Sequence, residues 1–270
     1  MPGSLSSLGR RLLEDDYASL LPSRRPSSLG LVASSSEIGS RALNSVIAEG
    51  VNVTQALVVF DWDGTLMDST GAITHSIQSA ARDLGLMVPD RKQASWVIGL
   101  GLRDSLKYAV PDLPEDRLSA FVERYRYHYL HCEPALGAFE GVVPMLERLK
   151  SLGVPMAIAT GKSRHGLNRV LEQTGWRHFF ADTRTADEGH PKPHPWMLLD
   201  LLSSLGSVPS QTIMVGDTTH DLEMAASAGT RAVAVSYGAH GVDDLALAKP
   251  EAIFSDTPSL ALWLESQLAA

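Results

Sequence analysis

Short apolar runs alternate with longer amphipathic stretches along most of the chain. Residues 56–60 form a continuous, valine-containing apolar run that stops at polar positions, the pattern of a strand buried on both faces. Runs at 155–159, 212–215 and 231–235 read the same way, with 252–254 as a weaker fifth. Between them, 142–151, 164–174, 194–204 and 219–228 read as helices. After the first strand, Ile73, Ile77, Ala80 and Leu84 share one helical face, entered through Ser69 and Thr70 as caps and left through Gly85. Such alternation predicts an α/β fold, a doubly wound parallel sheet covered on both faces by helices.

The interval 74–139 breaks this rhythm. Leu102, Leu106 and Ala109 supply one helical face and Leu118, Phe121, Val122 and Tyr125 another, with no strand pattern among them. This interval is expected to be a helical cap inserted between the first and second strands, with 51–73 and 140–270 together forming the core. Residues 1–50 differ again: Ser34, Ser35 and Ser36 cluster, and arginines pair at Arg10-Arg11 and Arg24-Arg25. A weakly ordered N-terminal extension is expected there. Glu14, Asp15 and Asp16 argue against an organellar transit peptide, which is poor in acids. A flexible tail or a misassigned start codon are the readings that stand.

Composition then narrows the function classes. At about 150 residues per domain, 270 residues suit one compact domain with a sizeable insertion or two small domains. A net charge of −8 argues against a nucleic-acid partner, because a phosphate backbone is held by clustered Lys and Arg. A charged small substrate then needs a local cation to bridge it. The single cysteine, Cys132, forms no intramolecular disulfide or cysteine metal cluster, and it fits a reducing compartment. No run approaches roughly 18 consecutive apolar residues, so no membrane association is expected, and a cytoplasmic location is.

The chemistry-bearing residues stand at the ends of the predicted strands, where open α/β sheets bind ligands. Asp61-Trp62-Asp63-Gly64-Thr65 follows the first, with two carboxylates at i and i+2; the same residues suit an Asp-rich turn. Thr160-Gly161-Lys162-Ser163 follows the second and reads either as an anion cradle or as a turn capped by Ser163. Lys192 sits between Pro191 and Pro193, which suits a lysine fixed against an anion and also a rigid surface loop. Gly216-Asp217-Thr218-Thr219-His220-Asp221 adds a second acidic pair. Two such pairs suit a hard divalent cation such as Mg²⁺. His220 reads as an exposed residue at a helix start.

In this order and at these positions, the motifs resemble the haloacid dehalogenase-like superfamily of phosphotransferases, over Leu57 to about Ala269. The cap position is similar to that of the branch containing phosphoglycolate phosphatases and β-phosphoglucomutases. The resemblance implies that Asp61 is the nucleophile that becomes a phosphoaspartate and Asp63 the general acid and base. It implies Mg²⁺ held by the Asp61 carboxylate, the Asp63 carbonyl and Asp217. Thr160 and the Gly161 amide would bind phosphoryl oxygens, with Lys162 beside them, and Lys192 would supply fixed positive charge. Asp221 is expected to orient Lys192 or a water held by the metal. The dehalogenase branch needs neither a leaving-group acid nor a metal, so Asp63 and Asp217 favour phosphate chemistry. The expected activity is hydrolysis of a small phosphorylated metabolite, with 2-phosphoglycolate as the leading candidate and Arg103 as the cap residue reading its carboxylate. A phosphomutase and a non-catalytic phospholigand-binding protein are the alternatives.

Overall fold

The computed structural model describes residues 56–268, so the N-terminal extension lies outside it. Its centre is a six-stranded sheet in the order β3-β2-β1-β4-β5-β6, with every neighbouring pair parallel. The strands are β1 (Leu57–Phe60), β2 (Met156–Thr160), β3 (Asp182–Thr185), β4 (Thr212–Gly216), β5 (Arg231–Val235) and β6 (Ile253–Phe254). The chain winds outward from β1 through β2 to β3, then crosses to β4 and winds the other way. β1 therefore sits at the switch between the two halves, where open α/β sheets leave a crevice at their carboxyl edge. The doubly wound parallel fold predicted from the alternation is the fold observed.

Strand side chains alternate between faces, so each strand feeds two cores. Val58, Phe60, Met156, Ile158, Ile213 and Val215 pack on one side with α5 (Val142–Ser151), α6 (Arg164–Thr174) and α10 (Thr257–Leu268). Leu57, Val59, Ala157, Ala159 and Met214 pack on the other with α7 (Trp196–Leu205) and α8 (Thr219–Ala228). A short α9 (Val242–Leu247) links β5 to β6. Among the described residues, no helix is long and apolar enough to cross a membrane.

β3 escaped the sequence pattern. Its residues, Asp-Thr-Arg-Thr, include no apolar side chain. Thr183 and Thr185 nonetheless turn inward and are buried. Arg184 lies on the opposite face, paired to Asp182 at 2.7 Å and to Asp200 of α7. An edge strand needs backbone pairing on one side only, and here ion pairing rather than apolar burial covers its outer face.

Between β1 and β2 stand α1 (Thr70–Asp83), α2 (Arg91–Trp96), α3 (Leu102–Ala109) and α4 (Leu118–Cys132). They enclose their own apolar cluster, in which Ile73, Ile77, Ala80 and Ala81 of α1 meet Phe121, Val122 and Tyr129 of α4. The two connections to the sheet run side by side: Asp68 N donates to Gly137 O at 3.0 Å and Phe139 N to Leu66 O at 3.2 Å.

Candidate active site

Register brings the three decisive strand ends together. Phe60 is level with Ile158 of β2 and Val215 of β4, and the Asp61 amide continues the ladder by donating to Val215 O at 2.9 Å. Asp61, Thr160 and Asp217 thus leave one edge of the sheet within a few residues of each other. Gly64 allows the loop after β1 to close on the loop after β4. Its φ is +87°, and a Cβ there would stand 2.1 Å from Asp217 Oδ2. A side chain would meet both backbone strain and a steric clash at that position.

Lys192 reaches the same point from the loop before α7, where its bond to Pro193 is cis. Its buried Nζ lies 2.7 Å from Asp61 Oδ1 and 2.6 Å from Asp221 Oδ1. Asp221 also closes the start of α8, its Oδ2 accepting from Thr218 N at 3.1 Å and from Thr218 Oγ1 at 2.7 Å. One carboxylate oxygen is committed to the helix cap, and the other faces the lysine. Asp217 is aimed from two sides: Thr65 Oγ1 donates to its Oδ1 at 2.9 Å and the Ala239 amide to its Oδ2 at 2.7 Å.

The carboxylates of Asp61, Asp217 and Asp221 place ligand atoms within 4.8 Å of one another, all buried. One ammonium, paired with Asp61 and Asp221, offsets three carboxylates, an excess of negative charge that burial makes costly. Burial pushes the Asp61 carboxyl up to about 7, with Lys192 opposing and Asp221 adding to the rise. Burial likewise raises Asp217 well above the ordinary range, with Asp61 adding to it. Burial alone would lower Lys192, but Asp221 and Asp61 outweigh it and its ammonium is held more tightly than usual. Asp61 Oδ2 has no hydrogen-bond partner among the described residues. Clustered oxygen donors, excess charge and a buried oxygen without a partner all fit a hard divalent cation.

Asp63 occupies a separate setting. Ser69 Oγ donates to its Oδ1 at 2.6 Å, and Lys162 Nζ lies 3.1 Å from the same atom. Ser69 stands at the start of α1, as expected, but its side chain makes no helix-capping bond and serves Asp63 instead. Lys162 also donates to Tyr129 OH at 2.9 Å. Burial opposes its charge, yet Asp63 and Tyr129 prevail and raise its pKa. Thr160 Oγ1 accepts from the Lys162 amide at 3.2 Å, which leaves its hydroxyl hydrogen to donate elsewhere. Ser163 does cap α6, accepting from Gly166 N at 3.2 Å. Gly161 lies directly beneath the segment joining α2 and α3: a Cβ on it would be 2.6 Å from Gly99 O.

The structure thus gathers Asp61, Asp63, Thr160, Gly161, Lys162, Lys192, Asp217 and Asp221 at one edge of the sheet. Arg103 lines the cavity that adjoins this edge, together with Asp63, Gly161 and Lys162. Its guanidinium pairs with Glu115, and both side chains are at least half exposed.

The sequence profile of the family described as haloacid dehalogenase-like hydrolase matches residues 58–235, spanning every motif above. This chain is a haloacid dehalogenase-like hydrolase. It is 40% identical over 204 residues to the probable phosphatase IndB of Dickeya dadantii, covering 73% of this chain and 88% of that one. It is 31% identical over 199 residues to the pyrophosphatase PpaX of Anoxybacillus flavithermus, covering 72% and 89%. A solved structure described as a predicted phosphoglycolate phosphatase from Haemophilus somnus superposes with a TM-score of 0.70 at 29% identity, covering 76% of this chain and 96% of that one.

This hydrolase also contains a contact between cap and core that no sequence motif signals. His220 and His240 both place Nε2 2.9 Å from the carbonyl oxygen of Trp96, at the end of α2. His240 Nδ1 accepts from Thr219 N at 3.0 Å, which assigns its proton to Nε2 and makes it a donor to Trp96. Its ring stacks on the Trp96 indole at 4.1 Å between centroids. His220 is therefore not the exposed helix-start residue expected from sequence, but a buried link to the cap. Tyr129, whose hydroxyl meets Lys162, escaped notice too, because an aromatic residue at helical spacing reads as core. Thr65 lay within the first motif, and its position beside Asp63 was the available signal for its bond to Asp217.

Proposed function

We propose that this hydrolase is a Mg²⁺-dependent phosphatase that cleaves a small phosphomonoester through a phosphoaspartate on Asp61. One observation carries the reading. A buried lysine is locked between Asp61 and Asp221, while Asp63, two residues along, is turned toward a separate pair of partners.

In this reading an Asp61 oxygen attacks phosphorus, forming the acyl phosphate as the bond from phosphorus to the leaving oxygen breaks. Asp63, protonated, gives its proton to that oxygen. Asp63 then takes a proton from water as the water oxygen attacks phosphorus, which releases inorganic phosphate and restores Asp61. Thr160 and the Gly161 amide donate to non-bridging oxygens. Lys192 offsets the charge of nucleophile and substrate, and Asp221 keeps its ammonium in place. The Asp61 carboxylate, the Asp63 carbonyl and Asp217 would hold the Mg²⁺. When bound, the ion screens the repulsion between carboxylate and phosphoryl group. The single cysteine supports placing this reaction in the cytoplasm.

2-Phosphoglycolate is the leading candidate from the resemblance. Its carboxylate would have to draw Arg103 from Glu115, so it enters as one member of a substrate panel with pyrophosphate and simple alkyl phosphates. Phosphate release from that panel tests the reading. Activity should require Mg²⁺, vanish with EDTA and fall by about 10³-fold or more in Asp61→Asn, with the circular dichroism spectrum retained. Stoichiometric phosphate separates hydrolysis from mutase chemistry. Wild-type turnover by Asp61→Asn, or indifference to chelation, would remove the proposed mechanism.

A further inference from the structure

We infer that the cavity beneath the cap selects an uncharged, largely apolar leaving group, such as a ring-bearing alcohol, over one that carries a carboxylate. This rests on the phosphatase reading for the position of the scissile bond. The cavity, about 280 Å³, is lined by Asp63, Gly161 and Lys162 but not by Asp61, Asp217 or Asp221. It therefore opens on the side of the acid, where the departing alcohol must lie, and not on the side of the nucleophile.

Size is the first argument. At about 280 Å³ the cavity approaches the usual size of a small-molecule pocket, larger than glycolate, with its five non-hydrogen atoms, requires. The walls are the second argument. Ile73 and Ile77 of α1, Val97 and Ile98 of the following segment, and Tyr125 of α4 line the space. Water against such walls is readily displaced by apolar surface.

Charge is the third. Among the cations that line the cavity, Lys162 is paired with Asp63, Arg169 with Glu133 at 2.9 Å and Arg103 with Glu115. Asp104 and Asp187 also face the space. An incoming carboxylate drawn to Lys162 or Arg169 would compete with a buried carboxylate partner, and these two aspartates add negative charge to the wall.

Two measurements on the full chain with Mg²⁺ decide this. In kcat/KM, benzyl phosphate should exceed 2-phosphoglycolate by at least 10-fold; both leaving groups are alkyl alcohols. By calorimetry, the non-hydrolysable benzylphosphonate should bind at least 10-fold more tightly than phosphonoacetate. Leu102, partly buried at the start of α3, also lines the cavity. Leu102→Lys should lower the benzyl to glycolate ratio in kcat/KM by at least 10-fold, a comparison within one variant that does not depend on how much of it folds. A wild-type preference for 2-phosphoglycolate, or equal binding of the two phosphonates, overturns the inference. Selective phosphonate binding without hydrolysis of any ester would instead sustain the cavity's selectivity and overturn the phosphatase reading.

Discussion

Asp63 and Asp61 are two residues apart, and their neighbours give them different work. Asp61 lies among buried charges, whereas Asp63 is held by Ser69 and Lys162 next to the cavity. Replacing Asp63 with Asn keeps the shape and removes the exchangeable acid. Turnover of an alkyl phosphate should fall by about 10²- to 10⁴-fold, the usual worth of a positioned acid and base, while an aryl phosphate, whose leaving group needs no proton, should lose much less in its first step. Burst kinetics on the two esters separate these outcomes, and equal losses would contradict the acid role. Arg103 gives the opposite expectation. As an exposed side chain, Arg103 would gain only about 0–1 kcal/mol from pairing with a substrate carboxylate, so Arg103→Ala should change kcat/KM for 2-phosphoglycolate by no more than about 5-fold. A loss of 10-fold or more would restore Arg103 as a carboxylate reader.

At the scale of elements, the cap and the sheet are joined by the segment from α2 to α3. Trp96 accepts from His220 and His240, and Gly99 and Leu100 rest on Gly161. Burial lowers the pKa of both histidines, in keeping with neutral donors in this contact. His240→Ala would remove an acceptor from the buried Thr219 amide and a ring from the face of Trp96. It should destabilise the protein by about 1–3 kcal/mol, the cost of a buried donor left without a partner. Urea unfolding measures that loss, and Trp fluorescence should shift as the indole loses its stacking partner. No change in either would mean that the contact contributes nothing to holding the cap.

Across the whole molecule, the buried charge cluster ties stability to pH and metal together. Asp61, raised to about 7, binds a proton in the folded chain at pH values where the unfolded chain has lost it. Its contribution to stability is thus present below the ordinary carboxylate range and is lost as pH rises through about 7. Mg²⁺ needs the ionised carboxylate and competes with that proton. The rise in melting temperature on adding Mg²⁺ to EDTA-treated protein should therefore be larger at pH 8 than at pH 5.5. Thermal scans at the two pH values check it, and an equal rise at both would place the metal away from Asp61.

The sequence by itself determined five of the six strands and most of the charged centre, because both follow from local pattern. Continuous apolar runs mark strands buried on both faces, and in a parallel sheet the residue after each run emerges at the same edge. Asp61, Thr160 and Asp217 were legible on that ground. Only the tertiary structure decided the rest. β3 has no apolar run, since its exposed face is covered by ion pairs. Ser69 reads as a helix cap until its hydroxyl is found on Asp63, six residues earlier. Tyr129 lies 33 residues from Lys162, and His240 lies 144 from Trp96. Such contacts are made by packing one element on another, and no periodicity along the chain records them. The same holds for the cavity, whose walls come from separate helices and whose charges are balanced by partners that spacing does not reveal.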